Sequence, residues 1–102
     1  MTPRYVLAPE AARDIFEIWF YIQENSSTEA AGKVESTIFN SIALLADNPG
    51  IGHFREDLTS QRVRFFPVYS YLICYRPDTR PLQIIGVLHG RRDLEQLLKT
   101  RL

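Results

Sequence analysis

The chain has 102 residues, 45% apolar and 24% charged, and its 12 basic and 12 acidic side chains cancel. That is the composition of one soluble globular domain, residues 1–102, large enough for one hydrophobic core but not two. It excludes a membrane-spanning helix, because no apolar run approaches the roughly 18 residues required, and an internal disulfide, because Cys74 is the only cysteine.

In chain order, Arg4–Ala8 is a short β-type run that stops at Pro9. Pro9 suits the first turn of a helix, whose N–H groups have no partner anyway, and Glu10 then lies near the positive end of the helix dipole. Residues 10–25 read as that helix, with Ala11, Ile15, Ile18, Trp19 and Ile22 at helical spacing. Seven of the eight residues of Ile15–Ile22 are apolar, Glu17 being the exception. One buried stripe needs only about three to four apolar residues per two turns, so Phe16, Phe20 or Tyr21 must lie outside it. Either a second helix or a partner protein covers them.

Asn25–Thr28 is a polar turn able to cap the next helix, residues 29–47, whose stripe is Ala31, Val34, Ile38, Ile42 and Leu45. Asn48-Pro49-Gly50 ends it. So short a break between two helices implies an antiparallel hairpin. A loop over 50–58 leads to three β-rich runs, Arg62–Val68, Tyr69–Tyr75 and Leu82–Leu88; the first two meet at Pro67 and the hexapeptide 76–81 separates the others. This reads as an antiparallel meander. Asp93 can cap a final helix, Leu94–Thr100. The expected fold is α+β, in the order β-α-α-β-β-β-α: an antiparallel helical hairpin packed on one face of a small antiparallel sheet, which the N-terminal strand can join. The N-terminus has no basic segment ahead of an apolar stretch, so no secretory leader is evident and the cytoplasm is the expected location.

Charge is unevenly spread. Residues 9–48 hold seven acids against two bases, residues 51–102 nine bases against five acids, and all bases but Lys33 and Lys99 are arginine. Such a half suits an acidic partner or a nucleic acid, or else arginines shielding a sheet edge. No phosphate loop of the GxxxxGK(S/T) or GxGxxG type is present, and no metal-ligand set, so no cofactor or metal is expected. Cys74, between Ile73 and Tyr75, reads as a packing residue. The remaining reactive-looking set is Arg62, Arg64, His89, Arg91 and Arg92 near the strand ends. A ribonuclease could use arginine for phosphate and histidine for proton transfer; the same residues could serve protein–protein contacts.

Several segments carry a family likeness: Leu7–Ala11 with Asp14-Ile15 and Glu17–Trp19; Asn48–Gly52 followed by Arg55–Leu58; Arg64, then Tyr71–Arg76; and Val87–Asp93. Together, in order and spacing, they resemble the ParE branch of the ParE/RelE superfamily, bacterial toxins of type II toxin–antitoxin systems. The resemblance implies two helices packed on a small antiparallel sheet. It also implies a toxin that inhibits DNA gyrase by binding and is neutralised, in a hetero-oligomer, by a cognate ParD-like antitoxin. DNA would be met only through the antitoxin. The target contacts it implies are Arg64, Tyr75, Arg76, His89, Arg91, Arg92 and the C-terminal segment; the antitoxin contacts are Ile15, Phe16, Trp19, Phe20, Ile38 and Ile42. The superfamily's other branch, RelE-like ribosome-dependent mRNA interferases, would instead use Arg62, Arg64, His89 and Arg91 in catalysis. Against it, Leu72 stands where such proteins carry an arginine, and the last helix has no tyrosine.

Overall fold

The computed structural model describes residues 3–102. In chain order the elements are β1 (Tyr5–Leu7), α1 (Pro9–Asn25), α2 (Thr28–Asp47), β2 (His53–Phe54), β3 (Arg64–Val68), β4 (Tyr71–Arg76), β5 (Leu82–His89) and α3 (Leu94–Arg101). The expected α+β layout holds, with a helical hairpin ahead of a meander. Local chemistry sets the helix ends. Pro9 opens α1 without a side-chain cap, the Ser27 hydroxyl accepts from the Ala30 N–H at 3.0 Å to start α2, and the Asp93 carboxylate accepts from the Gln96 N–H to start α3.

The sheet runs β1-β5-β4-β3-β2. Four features differ from expectation. β1 pairs parallel, not antiparallel, with β5, because the meander leaves the outer edge of β5 free for the N-terminal strand. The 50–58 loop contributes a two-residue strand, β2, against β3. The β3–β4 turn is Tyr69-Ser70, not Pro67: Pro67 lies within β3 opposite Leu72, beyond the reach of β2, where its missing N–H breaks no ladder. Finally, the helices do not share one face. Residues of α1 and α2 pack with Val68, Ile73, Tyr75, Leu82, Ile84 and Val87, whereas Leu94 and Leu98 of α3 pack with Phe65, Cys74, Ile85 and Leu88 on the opposite face.

A bulge makes this two-sided burial continuous. Cys74 faces Gly86 while Tyr75 faces Ile84, so Ile85 is an extra residue in β5 and the run Ile84–Leu88 feeds both cores. Cys74 is fully buried under α3, and burial pushes its thiol pKa up to about 12, which keeps it protonated.

One charged side chain sits inside. Asp14 of α1 accepts from the Val87 N–H at 3.0 Å, where β5 runs past the end of β1, and from both terminal nitrogens of Arg101 at 2.5 and 2.8 Å. Arg101 arrives from α3, so this bidentate pair closes around the open edge of β5. The Asp14 carboxylate raises the Arg101 pKa further. Gly86 makes the approach possible, since a Cβ there would stand 2.6 Å from the Arg101 guanidinium.

Tyr69 has φ 55°, the only positive φ at a non-glycine residue among those described. For a residue with a Cβ that conformation costs about 1–2 kcal/mol.

Candidate functional site

Three surface regions hold the residues singled out from the sequence. The first is the outer side of α1. A helix turns 100° per residue, so Ala11, Ile15 and Ile18 enter the core while Phe16 and Phe20 point away from it. They are 61% and 49% exposed, with ring centroids 6.1 Å apart. α2 lies beside α1 and leaves this side open. Of the six expected antitoxin contacts, these two are on the surface and Trp19 is half-buried. Ile15, Ile38 and Ile42 are buried against the sheet, because they form the inward stripes of the two helices. They lie beneath the surface and are not part of it.

The second region is the end of the sheet where the β3–β4 turn meets the loop after β5. The Gly90 N–H donates to the Ser70 carbonyl at 2.8 Å, fastening the two connections together. His89 packs edge-on against Tyr71 with centroids 5.4 Å apart. Its Nδ1 accepts from the Arg91 N–H at 3.1 Å, so a neutral His89 carries its proton on Nε2. Arg91 and Arg92 are exposed. Between this end and α1 runs a groove of about 400 Å³, lined by Glu17, Tyr21, Tyr71, Val87, His89 and Arg92. Burial first, then the neighbouring Tyr21, hold the Tyr71 hydroxyl above the ordinary tyrosine range.

The third region is the opposite end of the strands. Tyr75 is fully buried. Its hydroxyl donates to the Pro49 carbonyl at 2.7 Å and accepts from the Gly52 N–H at 2.9 Å. Burial raises its pKa, against the lowering by that N–H and by Arg64. Tyr75 therefore anchors the segment after α2 and is not placed to touch a target. Gly52 has to be glycine here, because a Cβ would lie 2.4 Å from the Tyr75 hydroxyl and 3.0 Å from the Phe65 carbonyl. Tyr75→Phe should leave the Gly52 N–H and Pro49 carbonyl without that partner, at a cost of about 1–3 kcal/mol in chemical denaturation. A change below half that lower bound would show that the hydroxyl is dispensable.

Arg64 donates to the Gly52 carbonyl at 2.6 Å and stacks 4.0 Å from the Phe54 ring centroid; Arg62 lies 5.2 Å from the same ring and is paired with Asp78. Arg64 Nε is buried without a partner. Arg62 and Arg64 converge on the Phe54 ring although the strand begins only at Arg64. Arg76 is half-buried near this end, opposite Gln83.

The expected target set is therefore two groups. Arg64, Tyr75 and Arg76 lie at one end of the sheet and His89, Arg91 and Arg92 at the other. Tyr71, beside His89, and Tyr75, beside Arg64, are four residues apart in β4, about 13 Å at strand rise. The same separation divides the ribonuclease set, Arg62 and Arg64 from His89 and Arg91. Tyr69, Phe54 and the Asp14–Arg101 pair were not singled out from sequence. Nothing local in the sequence marks the two-residue turn that holds Tyr69; it follows from the Val68–Tyr71 pairing of β3 with β4.

Among the described residues no three His, Cys, Asp or Glu side chains cluster to hold a metal ion, and no helix is long and apolar enough to cross a membrane.

Comparison with known proteins bears on the family and the fold. The family model described as the ParE toxin of the type II toxin–antitoxin system parDE matches residues 5–94. Toxin ParE1 of Caulobacter vibrioides is 31% identical over 85 residues, 83% of this chain and 86% of that protein. A solved structure from the chromosomal ParDE toxin–antitoxin system of P. aeruginosa superposes with a TM-score of 0.72 at 18% identity, covering 83% of this chain and 92% of that one, which shows the shared fold. The likeness first read from Leu7–Asp93 thus extends across both layers of the molecule, and the chain belongs to the ParE toxin family of type II toxin–antitoxin systems.

Proposed function

We propose that this toxin acts by binding, that its target is DNA gyrase, and that a cognate antitoxin neutralises it by covering the outer side of α1. The observation that carries the antitoxin part is the pair Phe16 and Phe20. Two large aromatic side chains stand 61% and 49% exposed, one helical turn apart, on a face that α2 leaves uncovered. An amphipathic segment of a partner would bury them, with Trp19 at the margin. We assign the target side of the reading to the His89, Arg91 and Arg92 end of the sheet, where arginines that form no salt bridge among the described residues share a rim with aromatic rings. Gyrase itself enters through family membership.

A ribonuclease reading is the weaker one here. Arg62 is engaged by Asp78, and the basic pair at Phe54 lies at the far end of the sheet from His89. The test is direct. Purified toxin is added to gyrase supercoiling relaxed plasmid, with and without the antitoxin, and in parallel to a translating extract. Inhibition of supercoiling that the antitoxin reverses is expected. Intact supercoiling with cleavage of ribosome-bound message would overturn the reading.

A further inference from the structure

We propose that Tyr69 is an anchor for the toxin's target, a side chain held out at the tip of the β3–β4 turn to enter an apolar slot rimmed by acidic side chains on a protein partner. The proposal rests on the reading of the chain as a toxin that acts by binding.

Tyr69 breaks a local rule and gains little within the fold. Its φ of 55° lies in the left-handed region, where a two-residue hairpin turn prefers glycine, asparagine or aspartate. The ring is 63% exposed and belongs to neither hydrophobic core. Its one polar contact, to the Thr37 hydroxyl, is 3.4 Å long, well beyond an ordinary hydroxyl pair. Strain retained without a packing return marks a position shaped by binding.

The surroundings indicate the partner's chemistry. The turn is braced by the Gly90 N–H to Ser70 bond and by the Tyr71–His89 contact, so the ring projects from a stiff base. That bracing brings the loop with Arg91 and Arg92 to the same end, and neither forms a salt bridge among the described residues. A tyrosine offers large contact area with few rotors and a polar tip, and is enriched among the residues that dominate interfaces. Unpaired arginines beside it call for acidic groups on the other side. A protein fits better than a nucleic acid, because Glu17 in the adjoining groove and Asp93 beside the arginines would repel a phosphate backbone.

The test compares Tyr69→Asn, Tyr69→Gly and Tyr69→Phe with wild type in four measurements: thermal unfolding, antitoxin affinity, growth arrest on induced expression, and inhibition of purified DNA gyrase. The asparagine and glycine variants should unfold at the same or a higher temperature and bind antitoxin within about twofold of wild type. They should arrest growth and inhibit gyrase at least tenfold less potently, while Tyr69→Phe stays near wild type. Three results would each overturn the proposal: undiminished growth arrest by Tyr69→Asn, unfolding several degrees lower, or antitoxin affinity falling in parallel. Loss of binding to an oligonucleotide in place of gyrase would overturn the protein partner. If wild type arrests growth but leaves gyrase untouched, the gyrase reading fails alone and growth arrest decides Tyr69. If wild type arrests nothing, both fall.

Discussion

Asp14→Ala is expected to destabilise the toxin by about 3–5 kcal/mol, the usual result of removing one partner from a buried ion pair. The Asp14 and Arg101 side chains are only 8% and 11% exposed. Truncation leaves the guanidinium with Glu10 at 3.4 Å as its remaining carboxylate, and that group is largely in solvent. The Val87 N–H also loses its acceptor at the unprotected edge of β5. For a domain of this size each kcal/mol shifts the midpoint by about 4–8 °C, so thermal unfolding should fall by at least about 12 °C. Asp14→Asn keeps an acceptor for Val87 while losing the charge, and should fall in between. Urea denaturation of the purified toxin measures both. A loss under about 1 kcal/mol for Asp14→Ala would mean that α3 is held by Leu94 and Leu98 alone.

The second large effect is on binding rather than folding. Replacing Phe16 and Phe20 together with alanine should weaken antitoxin affinity by about 10²-fold or more, since two central aromatic anchors at roughly 2 kcal/mol each would be lost. The rings are 61% and 49% exposed in the toxin alone, so unfolding should move by less than about 1 kcal/mol. Titration calorimetry against the antitoxin reads the first quantity and urea denaturation the second. The control is Ile38→Ala, at a fully buried position on α2, which should cost about 2–5 kcal/mol of stability. If the double variant is neutralised as well as wild type, the antitoxin docks elsewhere.

Residues with strong local or periodic signals were legible before the fold was seen. Pro9, Ser27 and Asp93 stand at helix starts because their preferences act within one turn of backbone. The excess of apolar residues in Ile15–Ile22 showed that some must lie outside a single stripe but left open what covers them; in the structure α2 does not, and Phe16 and Phe20 stay exposed. Periodicity put Ile38 and Ile42 on the apolar stripe of α2, and the structure buries that stripe; their assignment as antitoxin contacts came from the family resemblance and not from spacing. Spacing is silent on Tyr75: a tyrosine in a strand reads alike whether its hydroxyl meets water or the Pro49 carbonyl.

By itself the sequence determined every element but β2, their order and the family likeness, because caps, turn residues and apolar spacing act over a few neighbours and survive reading in one dimension. Tertiary structure alone decided the parallel entry of β1, the placing of α3 on the far face, and the division of the arginines between two ends of the sheet. It alone brought Asp14 to Arg101, a meeting across 87 positions. Such contacts depend on which strand edges remain open once the meander has formed, and no local preference encodes that.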